Sequence, residues 1–172
     1  RTQMRTEIQE LQRELDVTTV YVTHDQTEAM TIGDRIAVLR DGRLQQLGAP
    51  MEWYHEPANR FVASFIGEPS MNLFECRAEA DVFDGEFTYP ADGALSEAAA
   101  TAETRAVTLG VRPEVPALLA PDDDAAEPTF SGTIDVIEPV GERSFVYVTL
   151  EAGPQLVVAS SGDVTVAEQA AV

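Results

Sequence analysis

Val20-Tyr21-Val22-Thr23-His24-Asp25-Gln26-Thr27-Glu28-Ala29-Met30 changes character at its middle. Thr19 to Thr23 are β-branched or aromatic and suit a strand, whereas Asp25 with Glu28 three positions on has the form of an acidic capping box that opens a helix. His24 therefore falls at a strand end. Open α/β sheets bind ligands in the crevice outside the carboxyl ends of their strands. An imidazole there can donate a hydrogen bond to a phosphate oxygen or pass a proton near neutral pH. A lone histidine at such a junction is more often a structural residue, so the spacing leaves both roles open.

Upstream, Met4, Ile8, Leu11 and Leu15 recur at helical spacing with Glu7, Glu10, Arg13 and Glu14 on other faces, the pattern of a surface helix over a sheet. Downstream, the helix opened at Asp25 is expected to stop near Gly33. Ile36 to Leu39, Asp41-Gly42 and Arg43 to Leu47 then read as a hairpin with a two-residue turn. Pro50 starts a short helix through Trp53 and Tyr54, Pro57 breaks it, and Ala58 to Phe65 make a second helix that packs through Phe61, Val62, Phe65 and Ile66. Trp53 and His55 read as structural.

Gly67-Glu68-Pro69-Ser70 divides the chain. Before Gly67, 10 acids face 7 arginines; from Gly67 onward, 20 acids face 4, a balance of -3 against -16. The pattern also turns strand-rich: Asn72 to Val82, Glu86 to Tyr89, Ala106 to Val111, Gly132 to Glu138, Ser144 to Leu150 and Gln155 to Ala159, with turns at Asp84-Gly85, Pro90 to Gly93, Pro121 to Asp124 and Gly153-Pro154. Short strands at these intervals suggest a small β-barrel. Asp122-Asp123-Asp124 reads as a solvated charge run.

The 172 residues are 44% hydrophobic, enough for a core, and no run has the length of a membrane-spanning helix. Cys76 alone permits no internal disulfide, and with only 2 histidines a zinc site is a poor fit, so no metal site and a cytoplasmic setting are expected. All 11 bases are arginine. An acidic chain without lysine matches the surface style of salt-in halophiles, and a net charge of -19 argues against a nucleic-acid partner. Without lysine there is no GxxxxGK[ST] loop to hold ATP phosphates. The helix already under way at Arg1 suggests a fragment whose nucleotide-binding first half lies elsewhere.

VTHDQTEAM (22–30), DRIAVLRDGRLQQLGAP (34–50) and YHEPANRFVASFIGEPSMN (54–72) together resemble the C-terminal part of ATP-binding-cassette (ABC) importer ATPases, most closely the sugar-importer branch typified by the maltose importer. Leu109-Gly110-Val111-Arg112-Pro113-Glu114 and Gly132 to Glu138 resemble the oligonucleotide/oligosaccharide-binding (OB), TOBE-like regulatory domain of the same proteins, and an Arg112–Glu114 ion pair would fix the turn between these stretches. The resemblance implies an α/β C-terminal piece of a P-loop ATPase domain over 1–66, followed by an all-β OB-type barrel over 67–172. The family's closing strand is not recognisable after Glu168, so an unpaired barrel edge is expected.

The resemblance further implies an ATP-hydrolysing subunit, using ATP with Mg, at the cytoplasmic face of the cell membrane. Its partners would be a second copy or close paralogue, two membrane-spanning permease subunits and, indirectly, an extracellular solute-binding protein. His24 would be the switch histidine contacting the terminal phosphate of ATP, both catalytic and ATP-binding. The rest of that site is absent from these residues, so the chain alone is expected to be inactive. The sequence Ser70-Met71-Asn72 favours sugars over polyamines or inorganic anions as cargo. The alternatives are a regulatory module whose barrel binds a partner protein or small anion, and an unrelated hydrolase using His24. The hydrolase fares worst, since Ser64, Ser70 and Ser144 lack a G-x-S-x-G context.

Overall fold

A computed structural model describes residues 2–15, 17–79, 82–85, 88–90, 93–102, 104–119, 128–151, 153–162, 164 and 170–172. The chain divides into two compact units, Arg1–Glu68 and Pro69–Val172.

In the first unit, α1 (Thr2–Leu15) and α2 (Gln26–Ile32) form where helical spacing places them. Gly33 caps α2 by returning its N–H to the Ala29 carbonyl at 3.1 Å, at an ordinary negative φ of -82° rather than the left-handed one. β1 (Ile36–Arg40) and β2 (Arg43–Gly48) make the expected hairpin. Its turn has φ of 51° at Asp41 and 71° at Gly42, the doubly positive geometry for which Asp-Gly is suited. α3 (Pro50–His55) begins on its proline, and α4 (Arg60–Phe65) is capped by the Asn59 carboxamide oxygen, which accepts from the Val62 N–H at 3.0 Å. Val38, Trp53, Val62 and Ile66 form the core here, so Trp53 is a packing residue.

Several expectations fail in this unit. Residues 17–23 are not a strand: a strand needs a hydrogen-bonding neighbour, none of the described residues supplies one, and Val20 and Val22 are 87% and 90% exposed. The hairpin is accordingly the one ladder among the described residues of this unit, so the sheet of an α/β domain is not built here. For the same reason the apolar stripe of α1 covers nothing at Met4, Leu11 and Leu15, which are all exposed. Phe65, assigned to the packing face of α4, is also exposed and stacks on Phe61 at 5.5 Å.

The second unit holds a four-stranded antiparallel sheet in the order β5-β4-β3-β6, from β3 (Asn72–Ala78), β4 (Val82–Gly85), β5 (Thr88–Pro90) and β6 (Ala106–Val111). A three-stranded sheet follows in the order β7-β8-β9, from β7 (Gly132–Val140), β8 (Arg143–Leu150) and β9 (Gln155–Ser161). Between β5 and β6 runs α5 (Gly93–Thr101), in a stretch for which the sequence pattern gave no element. Leu95 and Ala99, four apart, pack it on the core of the first sheet. The strand expected from Asn72 to Val82 is two strands, and Asp84-Gly85, expected as a turn, instead pairs in β4 with Arg77 and Cys76. The Pro121 to Asp124 turn, Asp122-Asp123-Asp124 included, lies outside the described residues.

No continuous ladder closes the two described sheets into one barrel; specific bonds join them instead. The buried Asn72 amide donates to the Val111 carbonyl at 3.1 Å and to the Val157 carbonyl at 2.9 Å, and its oxygen accepts from the Val157 N–H at 2.8 Å. The Ala159 N–H donates to the Pro113 carbonyl at 2.6 Å, and Tyr89 stacks on Phe130 at 6.1 Å between the two cores. The edge expected to lack a partner is occupied at one end. Gly132 and Val172 exchange both backbone hydrogen bonds at 2.9 and 3.0 Å, and the Ile134 N–H donates to the Ala170 carbonyl at 3.0 Å. Pro139, further along β7, has no N–H to offer an intruding strand.

Candidate functional site

The turn that carries His24 is built by its neighbours. The Thr23 hydroxyl accepts from the Asp25 N–H at 2.9 Å and donates to the Glu28 carboxylate at 2.8 Å. Asp25 accepts from the Glu28 N–H at 3.0 Å, which is half of the expected capping box. The other half is replaced. The buried Glu28 carboxylate turns to the hydroxyls of Thr23 and of Tyr21, the latter at 3.3 Å, because two hydroxyl donors are stronger partners for a desolvated carboxylate than one backbone N–H. Residues 21–28 are thereby cross-braced at the point where the chain enters α2.

His24 itself is exposed and lies on the wall of an open cavity of about 940 Å³, also lined by Tyr21, Met30, Ile36 and Ile66. No described residue offers its imidazole a hydrogen bond, so both ring nitrogens are available to a ligand. This donor suits one phosphate oxygen and no more; a whole nucleotide with its Mg needs further ligands. Among the described residues no three metal-ligating side chains cluster.

The remaining candidates separate from this turn. His55 is exposed with its ring edge-on to Tyr54 at 5.4 Å. Arg112 is 8% exposed beside a fully buried Pro113, so it is a buried residue of its turn rather than a surface one; the Val115 N–H closes the turn on the Arg112 carbonyl at 3.0 Å. The bracing roles of Tyr21, Thr23 and Glu28 were missed in the sequence. The available signal was Thr23 two residues before Asp25, the spacing of a hydroxyl that caps a turn.

Residues 67–115 match the model of the MalK OB fold domain, and residues 109–172 that of the TOBE domain. The chain is 50% identical over 156 residues to the xylose/arabinose import ATP-binding protein XacK of Haloferax volcanii, covering 90% of this chain and 40% of that protein. This chain is related to the C-terminal region of import ATP-binding proteins. The sn-glycerol-3-phosphate import ATP-binding protein UgpC of Vibrio vulnificus is 48% identical over 147 residues, covering 86% of this chain and 38% of its own length. The diacetylchitobiose uptake system ATP-binding protein MsiK of Streptomyces coelicolor is 43% identical over 164 residues, covering 89% and 43%. The chain spans about two fifths of the length of these relatives. None of its described helices is long and apolar enough to cross a membrane.

Proposed function

We propose that this chain is the C-terminal part of the ATP-hydrolysing subunit of an ABC importer, with sugars as its cargo. Residues 1–66 would complete a nucleotide-binding domain and residues 67–172 form its OB-type regulatory domain. The observation that carries the reading is His24, braced on both sides and unpartnered on a cavity wall, in a chain 50% identical to an import ATP-binding protein. The subunit would sit at the cytoplasmic face of the membrane with a second copy or paralogue and two permease subunits, receiving solute through a binding protein.

ATP supplies the phosphoryl group and Mg neutralises charge on its oxygens. His24 donates one hydrogen bond to the terminal phosphate, and Thr23, Asp25 and Glu28 hold the turn so that the donor is in place before charge develops. Positioning and charge stabilisation carry most of phosphoryl transfer, so a single preorganised donor is the right kind of contribution.

The test is His24→Ala in the longer subunit, assembled with its permeases and solute-loaded binding protein. Turnover should fall about a hundredfold or more, the cost of one lost preorganised donor, while ATP affinity changes little. Unchanged turnover, or lost affinity with turnover preserved at saturation, sinks the assignment. The 172-residue chain by itself, with no lysine to hold phosphates, should show no ATPase activity.

A further inference from the structure

The first side chain of α2 makes contacts that the phosphate site does not require. Gln26 donates from Nε2 to the Phe65 carbonyl and accepts at Oε1 from the Gly67 N–H at 3.1 Å, across 39 and 41 residues of sequence. A carboxamide is the one neutral side-chain group of this length with both a donor and an acceptor, and here it pairs a C=O and an N–H two residues apart as a neighbouring strand would. Between these two contacts Ile66 is 4% exposed and packs with Val38, Trp53 and Val62. Gly67 has φ of 116°, a conformation that favours glycine, and the chain there turns towards Pro69, where the second unit begins. The segment leaving the first unit is thus held from one side by the core and from the other by Gln26.

Gln26 also belongs to the braced turn. Thr23, Asp25 and Glu28 are bonded to one another, His24 lies inside that set, and Gln26 follows directly on Asp25. A shift of His24 cannot be absorbed by loosening Thr23 without breaking its bond to the buried Glu28 carboxylate, or by loosening Asp25 without breaking its bond to the Glu28 N–H. The displacement is therefore passed to the start of α2, where Gln26 grips Phe65 and Gly67.

We infer that Gln26 is a positioning residue that relays the state of the His24 turn to the Phe65–Gly67 segment, and so to the connection leading into the β unit. This rests on the reading of His24 as a phosphate contact. It makes the connection a responder to nucleotide rather than a passive linker.

The experiment is amide hydrogen exchange at residues 65–68 of the longer subunit in its assembled importer, with and without ATP, for the wild type, Gln26→Met and Gln26→Glu. Methionine keeps the length and loses both bonds. In that variant Gly67 should exchange about fivefold faster without nucleotide, the scale of one lost part-buried hydrogen bond of ordinary strength. The ATP-dependent change at Gly67 seen in the wild type should disappear while ATP affinity is unchanged. Glutamate keeps the acceptor for Gly67 and loses the donor to Phe65, so it should retain the protection of Gly67 but blunt the response to ATP.

A residue that only stabilised the fold would raise exchange in both nucleotide states and leave their difference intact. The relay is overturned by an ATP response that persists in Gln26→Met, by Gly67 exchange that is the same in Gln26→Met and wild type, or by a wild type with no ATP response at residues 65–68. Failure of the phosphate reading shows separately, as normal turnover in His24→Ala.

Discussion

Among the large apolar side chains left exposed in the described residues, Met4, Leu11, Leu15, Val17, Val20, Tyr21, Val22, Leu39, Leu44, Leu47, Met51 and Phe65 all belong to the first unit, against Val115, Val136 and Val140 in the second. Charge runs the other way, -3 before Gly67 and -16 after it. The contrast follows from how strands find neighbours. In the second unit each antiparallel partner is reached over a short connection or, for β3 and β6, after β4, β5 and α5, and the buried faces close on themselves. Residues 17–23 have the composition of a parallel-sheet strand, whose neighbours come only through long crossovers, and the described residues contain none. One unit closes its described apolar faces on themselves and carries strong self-repulsion; the other presents apolar surface and little net charge.

The same truncation in both units tests this most strongly. Ile134 is fully buried between paired strands, whereas Ile66 borders the open cavity. Ile134→Ala should cost about 4 kcal/mol and Ile66→Ala about 2, the two ends of the range for such deletions, because the site at Ile66 can relax. Chemical denaturation of the two variants reads this, and equal costs would remove the distinction between a closed core and an open one.

Asn72 sharpens the account of the second unit. Asn72→Ala strips three part-buried hydrogen bonds to Val111 and Val157, so a loss of about 2 to 3 kcal/mol is expected. A loss below about half a kcal/mol, the scale of an ordinary surface change, would mean that the cores alone hold the sheets together.

Salt should act unequally on the units. Raising potassium chloride from 0.01 M to 1 M shortens the screening length from about 30 Å to about 3 Å. The unfolding transition of the second unit, where 19 acids face 4 arginines for a balance of -15, should move up by more than that of the first. A calorimetric profile indifferent to salt would count against self-repulsion and against a halophile-type surface.

The smallest effect concerns Cys76. Burial pushes its thiol above the ordinary 9.0, and Glu75 adds to the rise, against an opposing backbone hydrogen bond at Leu109. The folded state therefore holds this proton more tightly than the unfolded one. That stability is complete below pH 9 and is lost as pH climbs through the raised folded value. Melting between pH 8 and pH 10 should fall more for the wild type than for Cys76→Val; parallel falls would show that the thiol contributes nothing.

Much of this was legible in local chemistry. Asp41-Gly42 specified its hairpin because doubly positive φ is open to few residue pairs, and Pro50 and Gly33 marked helix ends because each answers a backbone requirement within four residues, whereas α4 was expected from Ala58 and begins at Arg60 on the Asn59 cap. α5 went unassigned because Ala94 to Thr101 lacks a strong apolar stripe, although its four alanines favour a helix, and Leu95 and Ala99 then pack it on the core beneath. For the candidate site, residue type, the strand end expected at Thr23 and the resemblance singled out His24; that strand does not form, and the bracing by Tyr21, Thr23 and Glu28 required geometry.

The sequence alone determined the elements whose information is short-ranged: turns, caps, strand periodicity and the shift in charge at Gly67. The tertiary structure decided everything that depends on a partner distant in the chain. It left residues 17–23 without a ladder, turned Glu28 from its capping bond towards two hydroxyls, set Asn72 between two sheets and brought Gln26 to Phe65 and Gly67. Hydrogen bonds across 39, 41 and 85 residues leave no periodic trace in composition, because the chain between their ends is free to vary as long as it returns to the same place.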